Sequence, residues 1–167
     1  SLISIKKNVK NIMLPSEERA IEMYPMDFEE FLWALGDEMM MPFIRKKFEA
    51  HQPMGEFHRR AMDYFREYLI VGGMPQVVKK YVETKDFSKV EPIKRDILSL
   101  YRNDIQKYAD NQETKVVAIF DEIPGQLQKH EKKFRLSVFG ESARMRDYSN
   151  AFFWLSDAKI INCCYNS

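Results

Sequence analysis

The sequence predicts a mainly α protein in which a helical region leads into a winged helix-turn-helix. Apolar residues recur at steps of three and four through most of the chain, the pattern of helices that each bury one face. Six glycines against ten methionines, twelve phenylalanines and eight tyrosines favour packed helices over a turn-rich β-sandwich. The third observation is order. Near the C-terminus come a helical pattern, a short basic segment, a helical pattern with arginines at its start and a strand-like run, as in a winged helix-turn-helix. The 167 residues suit one domain, or one domain and part of another, and 45% hydrophobic with 31% charged residues is the balance of a chain that buries a core.

Taken in order, Ser1-Leu2-Ile3-Ser4-Ile5 has no preceding cap or turn and reads as the tail of an earlier element. Arg19 to Pro25 alternates like a short strand, ended by a proline that cannot donate to a ladder. Asp27 and Glu30 stand at capping-box spacing, Met26 and Phe31 at that of a hydrophobic staple, and Phe28, Phe31, Leu32 and Leu35 keep the helical period. Helices are expected over 38–49 and 56–71, the second with Phe57, Ala61, Tyr64, Phe65, Tyr68 and Leu69 on one face and stopped by Gly72-Gly73. Pro75 suits the first turn of a helix bearing Val77, Val78, Tyr81 and Val82. Ile93, Ile97, Tyr101, Ile105 and Tyr108 then define one apolar face over 90–109. A helix from Glu113 is expected to end near Glu122 and break at Pro124-Gly125. Ser142 is the expected cap of a last helix carrying Met145, Tyr148, Phe152 and Leu155, and Ile160 to Tyr165 reads as strand.

The chemistry that this chain excludes is informative. None of its glycines belongs to a GxxxxGK[ST] pattern, so these residues hold no P-loop, and neither catalytic residues nor a cofactor site are expected. Val116 to Glu122 has the apolar-run-then-Asp-Glu form of a Walker B strand, yet without a P-loop it has nothing to work on and a buried helix is the expectation. Gly72-Gly73-Met74-Pro75 reads as a helix end followed by a helix start rather than a ligand loop. His51, His58 and His130 lack i, i+4 pairing, and Cys163-Cys164 lack a second Cys/His pair, so no metal site is expected. Adjacent cysteines make a poor disulfide framework and fit a reducing compartment. No run approaches the ~18 apolar residues of a membrane span, and no signal peptide opens the chain. The expectation is a soluble, cytoplasmic protein with no membrane partner.

A net charge of +1 rules out a global field that would draw in nucleic acid, so any attraction must be local. It is found between 129 and 146, where Lys129, Lys132, Lys133, Arg135, Arg144 and Arg146 face only Glu131 and Glu141. These six are the candidate contacts to double-stranded DNA. The competing reading is a solvated charged face, or a winged helix that packs on protein.

Five ordered motifs also carry a family resemblance. Met23-Tyr24-Pro25-Met26-Asp27-Phe28-Glu29-Glu30-Phe31-Leu32 resembles the "YPLxFEEFL" signature of a bacterial and archaeal AAA+-type ATPase family, and Tyr68 to Val78 its "YLxxGGMPxVV" segment. Asp96-Ile97 with Tyr101 to Ile105 resembles "DIxxLYRxDI", Ile123 to Leu127 with Lys132-Lys133-Phe134 resembles "IPxQLxxxxKKF", and Tyr148 with Ala151 to Ala158 resembles "YxxALxWLxDAGLI". The resemblance implies that a P-loop core binding ATP and Mg²⁺ precedes residue 1 in the same polypeptide, that 1–25 is its β remnant, that 26–110 is a helical region and that 111–167 is a winged-helix-like domain with a shortened wing. It implies for this chain a non-catalytic role, as a lid or winged-helix module coupling nucleotide state to a partner. DNA binding and intramolecular contact or self-association are the alternatives. In two places the sequence departs from the family pattern: Glu18-Arg19 replaces Gly-Lys or Gly-Arg, and Lys159 replaces the glycine at the start of the wing.

Overall fold

A computed structural model describes residues 23–109, 111–129 and 133–164. Among them are seven α-helices, one 3₁₀ helix and no β-strand, so the fold is mainly α. The expected strand over 19–25 falls largely outside the described residues. The described chain forms two compact units, 23–97 and 98–164.

The first unit is built on α1 (Phe28–Ala34), α2 (Met40–Glu49), α3 (Phe57–Val71), α4 (Pro75–Thr84) and the first part of α5 (Phe87–Tyr108). The capping box forms as expected: the Asp27 carboxylate accepts the Glu30 N–H at 2.9 Å and the Glu30 carboxylate accepts the Asp27 N–H at 2.9 Å. At seven residues, α1 is too short to persist on propensity and is held by burial. Phe31 enters a cluster with Val71, Val77, Val78, Tyr81 and Val90, while Leu32 enters another with Met40 and Ala61. Consequently α1 packs on α2, α3 and α4 at once. Burial, reinforced by a hydrogen bond to Glu67, pushes the Tyr81 phenol up to about 12, so this core side chain stays neutral.

Two sequence motifs meet in this unit. α3 ends at Gly72, whose φ of 78° favours glycine and whose N–H donates to Tyr68 O at 2.7 Å. The next residue, Gly73, accepts the Met26 N–H at 2.7 Å, and the Tyr68 hydroxyl donates to Met26 O at 2.9 Å. Both backbone groups of Met26 are thus held by the Tyr68–Gly73 segment, immediately before the cap of α1. Gly72-Gly73 ends one helix, and Pro75 opens the next, as expected.

α5 starts at Phe87, earlier than its apolar periodicity implied, because Asp86 Oδ1 accepts the Ser88 N–H at 2.8 Å and caps it. Hydrogen bonds from the Ser88 side chain and from this N–H hold the Asp86 carboxyl below its usual range. The units divide inside α5, ahead of the boundary expected at 110, because Ile105 and Ala109 join the core of the second unit.

That unit adds α6 (Glu113–Gln128), a 3₁₀ turn (Leu136–Phe139) and α7 (Met145–Asp157). Ile105, Ala109, Val116, Ile119, Ala151 and Leu155 form its buried cluster, with α6 packed on α7. The break expected at Pro124-Gly125 does not occur: α6 runs on to Gln128. Pro124 removes one helical bond, but the turn beyond it is anchored by Gln126, which is 4% exposed. Gln126 donates to Glu122 Oε1 at 2.9 Å and to Arg135 O at 3.4 Å, and accepts the Arg135 N–H at 3.3 Å, tying the returning chain to the helix. Gln126→Leu keeps the volume but not these bonds, and should lower the stability of this unit by about 1 kcal/mol, read from the urea transition of Trp154 fluorescence. An unchanged midpoint would show that Gln126 is only a space-filler.

Two further expectations are corrected. Ser142 does not cap α7; it lies in a turn where the Ala143 N–H donates to Gly140 O at 3.1 Å, and extended Arg144 takes the cap position without a side-chain bond. Nor do residues 161–164 form a strand. The N–H groups of Lys159 and Ile160 donate to Ser156 O and Leu155 O, both at 3.0 Å, closing α7 in a Schellman motif. Lys159 has a φ of 59° there, the left-handed position that glycine favours.

Candidate nucleic-acid interface

The basic residues that neighbour one another in sequence separate in space. Lys129 follows α6, exposed, with Nζ 3.9 Å from Glu122 Oε1. Lys132 lies outside the described residues, Lys133 is exposed, and exposed Arg135 is fixed through its backbone to Gln126. Arg144 and Arg146 are exposed at the start of α7, with Arg146 Nε 3.6 Å from Asp147 Oδ1. The start of α7 is located by Lys115, which donates to Asp147 O at 2.8 Å and stands 5.4 Å from the Tyr148 ring centre. Lys115 lies in the first turn of α6, whereas Lys129 follows its last, about 21 Å away along the axis. The structure therefore places Lys115 against Asp147 and Tyr148 at the start of α7 and sets Lys129 at the opposite end of α6. No sequence signal marked Lys115, because its hydrogen-bond partner Asp147 lies 32 positions away.

Aromatic contacts fix the path between the helices. Phe134 meets Phe152 edge-on at 5.2 Å, and Phe139 of the 3₁₀ turn stacks on Tyr148 at 5.0 Å. With Ala151 and Leu155 buried, the opposite face of α7 presents Arg146, Ser149, Asn150 and Phe153 to solvent at helical spacing. The Ser149 hydroxyl donates back to Arg146 O at 3.1 Å. A shallow recess of about 400 Å³ runs along this face, with Met145, Ser149, Asn150, Phe153, Ser156 and Cys163 in its lining.

The remaining motif residues serve structure. Val116 to Glu122 is helical, and Asp121 accepts two bonds from the Arg102 guanidinium at 2.9 and 2.8 Å, an exposed pair contributing at most about 1 kcal/mol. Glu122 faces Gln126 and Lys129. No three metal-ligating side chains converge among the described residues. No described helix is long and apolar enough to cross a membrane.

Residues 62–167, more than half of the chain, match a family described as a domain of unknown function, DUF8612. The chain belongs to the DUF8612 family. No curated protein and no solved structure matches it. The DUF8612 region starts within α3, includes the Tyr68–Gly73 side of the joint with Met26 and takes in all of the second unit, so the α7 face belongs to it.

Proposed function

We propose that this chain is a non-catalytic module of a nucleotide-driven protein and that its second unit binds duplex DNA through α7. The order of α6, the 3₁₀ turn, the link over 140–144 and α7 follows that of a helix-turn-helix, whose last helix enters the major groove by its N-terminal residues. One observation carries the reading: Arg144 at the cap of α7 and Arg146 and Asn150 in its N-terminal half are all exposed, on a helix whose other face is buried. The five ordered motifs support a parent of the AAA+ type. ATP and Mg²⁺ would be bound by a P-loop core of the same polypeptide, and the present residues would pass its state to the bound partner.

Retardation of a duplex at low salt tests the DNA reading. Wild-type affinity should fall steeply as salt rises, and Arg144→Ala with Arg146→Ala should weaken binding, with the loss of the Arg144 phosphate contact reducing the slope of log K against log salt by about 1. Binding indifferent to this double substitution would overturn the assignment to α7. A second reading, self-association or contact with the proposed P-loop core, is favoured by Phe153 and Met145, 73% and 53% exposed on the same helix. No DNA complex at low salt, together with a light-scattering mass that rises with concentration, would favour that second reading.

A further inference from the structure

We infer that Arg146 and Asn150 are the base-reading pair of α7, selecting a G·C pair and an A·T pair within about two base pairs of each other. The inference rests on the DNA reading above and deepens it from binding to sequence choice. Arg146 and Asn150 stand one turn apart on the solvent face, opposite Ala151 and Leu155. Four residues of helix rise about 6 Å, and stacked base pairs are about 3.4 Å apart, so the two side chains reach neighbouring steps of one groove.

Their chemistry is complementary to base edges. A guanidinium donates two bonds to guanine O6 and N7, and a carboxamide donates to N7 and accepts from N6 of adenine. The Asn150 side chain makes no hydrogen bond among the described residues and is exposed, so its amide is available for such a pair. Ser149, between them, already donates to Arg146 O and adds little discrimination. Charge sets the docking. Arg144 at the helix start and Lys115, whose Nζ lies against Asp147 O, bring cations to the flank of the face, where phosphates run past a groove-bound helix. The acids nearby are Asp147, beside Arg146, and exposed Glu141 in the preceding turn.

The experiment uses the full chain and a pool of 20-base-pair duplexes with a randomised centre, selected by retardation at low salt. The enriched duplexes should share an A·T pair and a G·C pair at that spacing, and replacing the A·T pair should weaken binding about ten-fold. Asn150→Ala should lose that ten-fold preference, read as the ratio of its affinities for the selected duplex and for the same duplex with the A·T pair replaced. Enrichment without such a pair, or a preference that survives Asn150→Ala, would overturn the inference and leave the DNA reading standing. Failure of every duplex to bind at low salt would overturn the DNA reading and this inference with it.

Discussion

Phe31→Ala should lower the unfolding free energy of the 23–97 unit by about 3–5 kcal/mol. Phe31 is 0% exposed, and its ring lies 5.5 Å from that of Tyr68 and 6.2 Å from that of Tyr81, among Val71, Val77, Val78 and Val90. Truncation removes the transfer free energy of the ring and leaves a cavity between α1, α3 and α4 that their backbones cannot close. The loss extends further, because α1 has seven residues and no stability apart from that burial. The two tryptophans fall one in each unit, Trp33 on α1 and Trp154 on α7. In a Trp154→Phe background, Trp33 fluorescence therefore follows the first unit, and its urea midpoint should drop sharply with little change in slope. A loss below about 1 kcal/mol would mean that α1 docks by its cap and by the ion pair of Glu29 with Arg45 rather than by Phe31.

Gly73→Ala should cost the same unit about 3 kcal/mol. A Cβ at Gly73 would stand 2.1 Å from Met26 O and 3.0 Å from Met26 N, and backbone atoms have no rotamer by which to yield. The segments must separate, which breaks the 2.7 Å Met26 N–H bond to Gly73 O and disturbs the Tyr68 bond to Met26 O. Gly125→Ala is the control of opposite sign. Gly125 lies within helical α6, and the nearest atom to its Cβ would be Glu122 Oε1 at 3.9 Å, so alanine should stabilise the second unit by about 0.5–1 kcal/mol. A Gly73→Ala protein as stable as wild type would show that the Met26 joint yields freely.

Local chemistry explains which features were legible. The Asp27–Glu30 capping box, the end of α3 at Gly72 and Pro75 in the first turn of α4 each involve residues within one turn, so sequence spacing is also spatial spacing. The misreadings share another cause. Pro124 breaks helices by propensity, at about 3 kcal/mol, but the Gln126 bridge and the packing of α6 on α7 keep the turn beyond it helical. Ile160-Ile161 has strand composition, yet the N–H groups of both donate to Leu155 O, so the end of α7 consumes the donors that a ladder would need.

The candidate interface was half legible. Arg144 and Arg146 were legible at the start of a helix, whereas Asn150, one turn beyond Arg146, carried no signal that singled it out. The cluster of six could not be judged as a unit, because α6 separates Lys129 from the start of α7 by about 21 Å. The motifs resembling an AAA+-type family illustrate the same divide. Their order is written along the chain, but their work within the fold is not: Tyr68 and Gly73 hold Met26, Arg102 holds Asp121, and Gln126 holds Arg135.

Periodicity, composition and caps were enough to specify a mainly α chain and most helix starts, because amphipathic spacing and capping act within a turn or two. Which motifs touch, where the compact units divide and which cations share a surface depended on contacts between residues such as Tyr68 and Met26, 42 positions apart. Such contacts are selected by the fit of whole buried faces, and no single segment of the chain contains both sides of that fit.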